Sequence, residues 1–125
     1  MQTFSKNERL TGKKSFEELV EKGNFLNSFP LHIKWLGVER AGKTQVAFAV
    51  PKRIFKRAVD RNKLKRRMRE SYRLNKKILE HVLDNEKTKL AILFVYTSKT
   101  AESYAKIETA VVNSLNKILK KLNPV

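Results

Sequence analysis

The chain has 125 residues, 41% of them apolar and set in periodic segments, which suits one globular domain and argues against disorder. Its 28 Lys and Arg against 12 Asp and Glu give a formal net charge of +16, which points to a polyanionic partner. It has no cysteine, which excludes disulfides and thiolate metal sites, and no apolar run approaches the ~18 residues of a membrane span. The opening MQTFSKNERL lacks an apolar signal core, so a cytoplasmic protein is expected.

Lys13 to Gly23 reads as a short helix. Phe16, Leu19, Val20 and Gly23 recur at helical spacing, with Glu17, Glu18 and Glu21 outside, Thr11 suited to the N-cap and Gly23 to the stop. The period then becomes two. Phe25 to Phe29 fits a short strand ending at Pro30. Leu31, Ile33 and Trp35 alternate with His32, Lys34 and Leu36, and Val46, Phe48 and Val50 share one face of a further strand. Between these two strands, Glu39 to Lys43 resembles a hairpin loop. After Pro51 a helical pattern runs from about Lys56 to Leu83. LAILFVY, residues 90–96, is apolar on both faces, as in a central strand covered on both sides. Tyr104, Ile107, Val111, Leu115, Ile118 and Leu122 mark a long amphipathic helix ending near Asn123-Pro124. The order α-β-β-β-α-β-α implies an α+β fold over residues 1–125. A four-stranded sheet is packed by three helices as a compact αβ sandwich, with a βαβ unit around the middle helix.

That helix holds most of the charge. Lys52 to Lys77 contains 13 basic residues against Asp60 and Glu70, a net +11. On a wheel turning about 100° per residue, Leu64, Met68, Ser71, Asn75, Ile78 and Val82 form a narrow docked stripe. Asn62, Lys65, Arg66, Arg69 and Arg73 gather opposite, with Arg61 and Lys63 on the shoulders. This row spans roughly three turns, or about 16 Å, enough to follow several phosphates. Arginine forks suit phosphate oxygens, and an Asn amide suits a base edge or a sugar hydroxyl. Lys52, Arg53, Lys56 and Arg57 approach the same helix. A merely solvated face does not need such density, but the charge alone does not separate RNA from DNA.

Intrinsic catalysis has little support. A two-metal nuclease needs converging carboxylates, and a metal-free one needs paired histidines. The acids are scattered, and the two histidines, His32 and His81, fall on different elements. No Gly-rich phosphate loop or serine-nucleophile motif is present. The expected protein binds nucleic acid and supplies no catalytic residue.

The run AFAVPKRIFKRAVDRNKLKRRMRESYR, with ERLTGKKSFEELVEKG before it, resembles the protein subunit of bacterial ribonuclease P. In that family an Arg-Asn-Arg element follows Ala-Val and one variable residue; here it reads Ala58-Val59-Asp60-Arg61-Asn62-Lys63. Two positions depart from the pattern: Lys63 replaces the second arginine, and Val20 replaces an aromatic. The resemblance implies a left-handed βαβ crossover in a domain like that of a ribosomal protein, against the usual right-handed rule. It implies a catalytic RNA partner that removes the 5′ leader of precursor tRNA, with Mg²⁺ held mainly by the RNA. No protein partner is implied. Lys52, Arg53, Lys56, Arg57, Arg61, Asn62, Lys63, Lys65, Arg66, Arg69 and Arg73 would bind RNA. A cleft between the first helix and the sheet would hold the leader, with Phe16 and Trp35 as candidates for its lining. Phe16 is equally suited to core, and Trp35 is open between the two. A ribosomal or ribosome-assembly protein is the alternative, and a DNA-binding regulator fits less well.

Overall fold

The structure is a computed structural model describing residues 13–39, 44–83 and 88–122. The elements are α1 (Lys13–Lys22), β1 (Asn24–Ser28), β2 (Leu31–Glu39), β3 (Gln45–Ala49), α2 (Ala58–Asn75), α3 (Lys77–Leu83), β4 (Thr88–Tyr96) and α4 (Tyr104–Leu122). Thr11, residues 40–43 of the expected loop, and Asn123-Pro124 lie outside the described residues. The α1 helix stops where expected. Gly23 N donates to Leu19 O at 2.9 Å, and a Cβ on Gly23 would lie 2.3 Å from that oxygen, so the close approach requires glycine.

The sheet order is β1-β2-β4-β3. β1 and β4 pair antiparallel with β2, and β3 pairs parallel with β4. This corrects the expected hairpin between β2 and β3, which do not pair. β4 lies between them because its side chains are apolar on both faces, and a central position covers both. The hairpin is instead β1–β2. Ser28 pairs with Leu31 across a two-residue turn, Phe29-Pro30, whose peptide bond is cis. The parallel β3–α2–α3–β4 crossover is the βαβ unit expected around the basic helix.

Strand alternation sorts the core into two layers. On one face Leu31, Ile33, Trp35, Val46, Leu90, Ile92, Phe94 and Tyr96 are buried against Leu64, Met68, Tyr72 and Leu79 of α2–α3 and Ile107, Val111, Leu115 and Ile118 of α4. On the other, Leu19 of α1 packs on Ala91, with Phe16, Leu36, Ala47 and Leu93 partly buried around it. LAILFVY therefore supplies both layers, as its doubly apolar pattern requires. Among the described residues, no helix is long and apolar enough to cross a membrane.

The basic helix is shorter than its pattern. It starts at Ala58, and a turn at Lys76 divides it into α2 and α3. Side-chain bonds mark both limits. Arg57 is extended and offers no side-chain cap, while Arg61 Nη1 donates to the carbonyls of Phe55 and Lys56 at 2.8 Å each. At the other end Asn75 Nδ2 donates to Ser71 O at 2.8 Å and to Glu108 Oε2 at 3.2 Å. Such side-chain bonding competes with the helical ladder. Leu64, Met68 and Ser71 of the docked stripe are buried, and Asn75 and Ile78 are half-buried. The side chain of Val82 lies outside the described residues.

One hydroxyl ties together two points of the approach to α4. Tyr96 Oη donates to Thr100 O at 2.6 Å and accepts from Glu102 N–H at 2.8 Å. Burial holds its phenol above the ordinary tyrosine range. Tyr96→Phe strands both backbone partners. Thermal unfolding is expected to show a loss of about 1–3 kcal/mol, with the far-UV spectrum unchanged.

Candidate nucleic-acid interface

Three buried anchors, Leu64, Met68 and Tyr72, fix α2 against the sheet and α4. Because these residues face inward, the cationic row faces out. Asn62, Lys63, Arg66 and Arg69 are exposed, and Lys65 is half-buried. Lys52, Arg53, Lys56 and Arg57 are exposed on the segment that leads from β3 into α2. The structure thus groups these expected contacts on and beside one helix.

Two members of the set have prior commitments. Arg61 latches the entering segment through the two carbonyl bonds described above, so its first task is to fix the loop that carries Lys52 to Arg57. Arg73 holds Glu70: Nε donates to Oε2 at 3.1 Å and Nη2 to Oε1. The Arg73 guanidinium keeps the Glu70 carboxyl below the usual carboxylate range. This pair neutralises one end of the row. Arg57 Nε lies 3.9 Å from Asp60 Oδ2 on the open surface, a contact too exposed to fix either side chain. Among the described residues, Lys63, Arg66 and Arg69 make no ion pair, so they are the cations freest to meet phosphates. Arg67, on the flank of α2, donates to Glu102 O at 2.7 Å and joins α2 to the start of α4.

The other sheet face forms a shelf. Phe16 is half-buried there beside Leu36, Ala47 and Leu93, with one ten-residue helix, α1, laid across it. Phe16 thus contributes to packing and keeps part of its ring accessible. Trp35 does not belong to this shelf. It is 6% exposed and sits in the opposite layer. The reason is parity, since Trp35 shares a strand face with Leu31 and Ile33. Toward α1, β2 presents His32, Lys34 and Leu36, and Lys34 Nζ reaches Val20 O at 3.5 Å. Sequence reasoning therefore missed Lys34 as a shelf residue, although the same alternation that buries Trp35 identifies it.

No group of three or more His, Asp or Glu capable of holding a metal occurs among the described residues. Glu70 pairs with Arg73, Glu80 lies 3.8 Å from Lys76 Nζ, and Glu102 lies 3.7 Å from Lys106 Nζ. Glu108 Oε2 accepts from Asn75 and from Tyr104 Oη. His32 bonds to Asn27, and the side chain of His81 lies outside the described residues.

Comparison with known proteins agrees with this geometry. The ribonuclease P family model matches residues 4–123. The ribonuclease P protein component of Porphyromonas gingivalis is 35% identical over 117 residues, covering 92% of this chain and 85% of that protein. That of Chlorobaculum tepidum is 31% identical over 124 residues, covering 90% and 80%. The RNase P protein of Staphylococcus aureus superposes with a TM-score of 0.72 at 20% identity, covering 92% of this chain and 97% of that one. The Thermotoga maritima RNase P protein gives 0.70 at 20% identity, covering 88% and 96%. With a family match spanning nearly its whole length, the chain belongs to the ribonuclease P protein family.

Proposed function

We propose that this chain is the RNA-binding subunit of a ribonuclease P, assisting a catalytic RNA in removing the 5′ leader of precursor tRNA. The observation that carries the reading is the exposed row Asn62, Lys63, Arg66 and Arg69 on a helix whose opposite side is locked into the core. A helix held by packing needs no backbone ordering when RNA arrives, so the ordering cost is confined to the long side chains themselves. The family match decides against the ribosomal and DNA-regulator alternatives.

Hydrolysis is assigned to the RNA. Among the described residues no acids converge as a metal site would need, and we read the Mg²⁺ ions of the reaction as held mainly by the RNA. The protein's contribution is electrostatic and positional. Cations along α2 lower the cost of bringing phosphates together and of gathering Mg²⁺ among them. The shelf beside Phe16 offers an accessible ring to an unpaired base of the leader. Product tRNA lacks the leader, so each such contact favours precursor over product. A role in tRNA maturation implies a cytoplasmic location.

The test is reconstitution. Added to a bacterial ribonuclease P RNA and precursor tRNA at low Mg²⁺, the protein is expected to accelerate leader removal and to be inert without the RNA. No acceleration above RNA alone would overturn the assignment.

A further inference from the structure

The shelf continues past α1 to the edge of the sheet. The pairing register runs Phe25–Lys34–Leu93–Ala47 across all four strands. Phe25 therefore stands on the face that carries Leu93 and Phe16, two strand spacings or about 10 Å from Leu93. The next residue, Leu26, packs on the main core, so strand alternation holds Phe25 on the opposite side.

Phe25 is 68% exposed, yet its ring is not loose. It stacks on His32, with centroids 5.8 Å apart and planes inclined by 27°. His32 is held in turn, its Nδ1 donating to Asn27 Oδ1 at 2.6 Å. One cation stands beside the pair, since Lys34 is the cross-strand partner of Phe25 on the same face, while Lys117 Nζ comes from α4 in the other layer and reaches Asn27 O on the β1 edge at 3.4 Å. A large apolar ring on an edge strand does little for folding and invites association, a position proteins ordinarily give to charged residues. A ring backed on one side by His32 and open on the other, with Lys34 across the strand, has the composition of a platform for an unpaired base. A duplex offers no splayed base to an isolated ring, so single-stranded RNA is the occupant the chemistry fits.

We infer that Phe25, backed by His32, is a second stacking site for an unpaired base of the precursor's 5′ leader, toward the β1 edge from Phe16. The inference rests on the leader-binding reading above. It assigns the leader a path across the sheet from Phe16 past Lys34 to Phe25.

The test uses the reconstituted holoenzyme and two precursor tRNAs, one with a single-nucleotide leader and one with a long leader. Phe25→Ala is expected to lower the ratio of long-leader to short-leader affinity by about 5- to 140-fold, the span of one base–aromatic stack. Phe25→Trp is expected to keep the ratio, and Phe25→Leu to lose it as Ala does. A 2-aminopurine walked along the long leader is expected to brighten at one position in Phe25→Ala and at a different position in Phe16→Ala. If wild type prefers the long leader and Phe25→Ala or Phe25→Leu keeps that preference in full, the Phe25 site is overturned while leader binding stands. If wild type shows no preference for the long leader, both readings fall.

Discussion

Replacing Arg66 and Arg69 together with alanine is expected to weaken binding to the catalytic RNA by an order of magnitude or more at low salt, with the protein still folded. Both side chains lie on the outer face of α2, and neither makes an ion pair among the described residues. Their charge is therefore available to phosphate rather than spent on a neighbouring carboxylate. Neutralising a phosphate releases condensed counterions, so the log–log salt slope is expected to flatten by about 0.7–0.9 for each phosphate the variant no longer neutralises. Binding titrations across a salt series read both quantities. The same double substitution leaves the buried anchors Leu64, Met68 and Tyr72 in place, so thermal stability is expected to move little. Glu70→Gln supplies the opposite arm. It removes the carboxylate beside Arg73, and with it a negative charge from this helix, and is expected to tighten binding and steepen the slope. An unchanged slope in the double variant would mean that this face does not touch phosphates.

The row was legible because a helix repeats every 3.6 residues and charge cannot be buried unpaired, so the wheel separated Leu64 and Met68 from the cations, although it left the third anchor, Tyr72, off the docked stripe. What the wheel lacks is the identity of each side chain's partners. Arg61 and Arg73 look like any other arginine in the sequence, yet one is held by the carbonyls of Phe55 and Lys56 and the other by Glu70. The break at Lys76 was equally hidden, because Asn75 owes one of its bonds to Glu108, 33 residues away. For strands the position is different. The faces of β2 follow from alternation, and strict use of it places Trp35 in the core with Ile33 and Lys34 on the shelf. Strand order does not follow from local pattern. The segment between β2 and β3 has hairpin length and composition, but pairing is decided by the doubly apolar β4, which comes some 40 residues later. Phe25 was the least legible, since an exposed aromatic breaks no local rule and acquires meaning only from His32 and Lys34 across the strand.

The largest effect on stability is expected at Phe94. It is fully buried in β4 at the point where the basic helix meets the sheet. Its ring stacks on Phe48 of β3 at 5.5 Å between centroids and lies 6.1 Å from Tyr72 of α2. Phe94→Ala removes the centre of this three-ring cluster and leaves a cavity that the parallel β3–β4 pair cannot close without breaking its ladder. The expected cost is about 3–5 kcal/mol, a large share of the ~5–15 kcal/mol that holds a domain folded. Denaturant unfolding measures it directly, and Phe94→Leu, which keeps most of the volume, is expected to lose less than half as much. The consequence for RNA binding separates scaffold from contact. Phe94 touches no RNA in this reading, so saturating RNA is expected to recover much of the stability by mass action, and the salt slope of binding is expected to match wild type. A flattened slope in Phe94→Ala would mean that the cationic row depends on Tyr72 and its neighbours for its shape, and not only for its attachment.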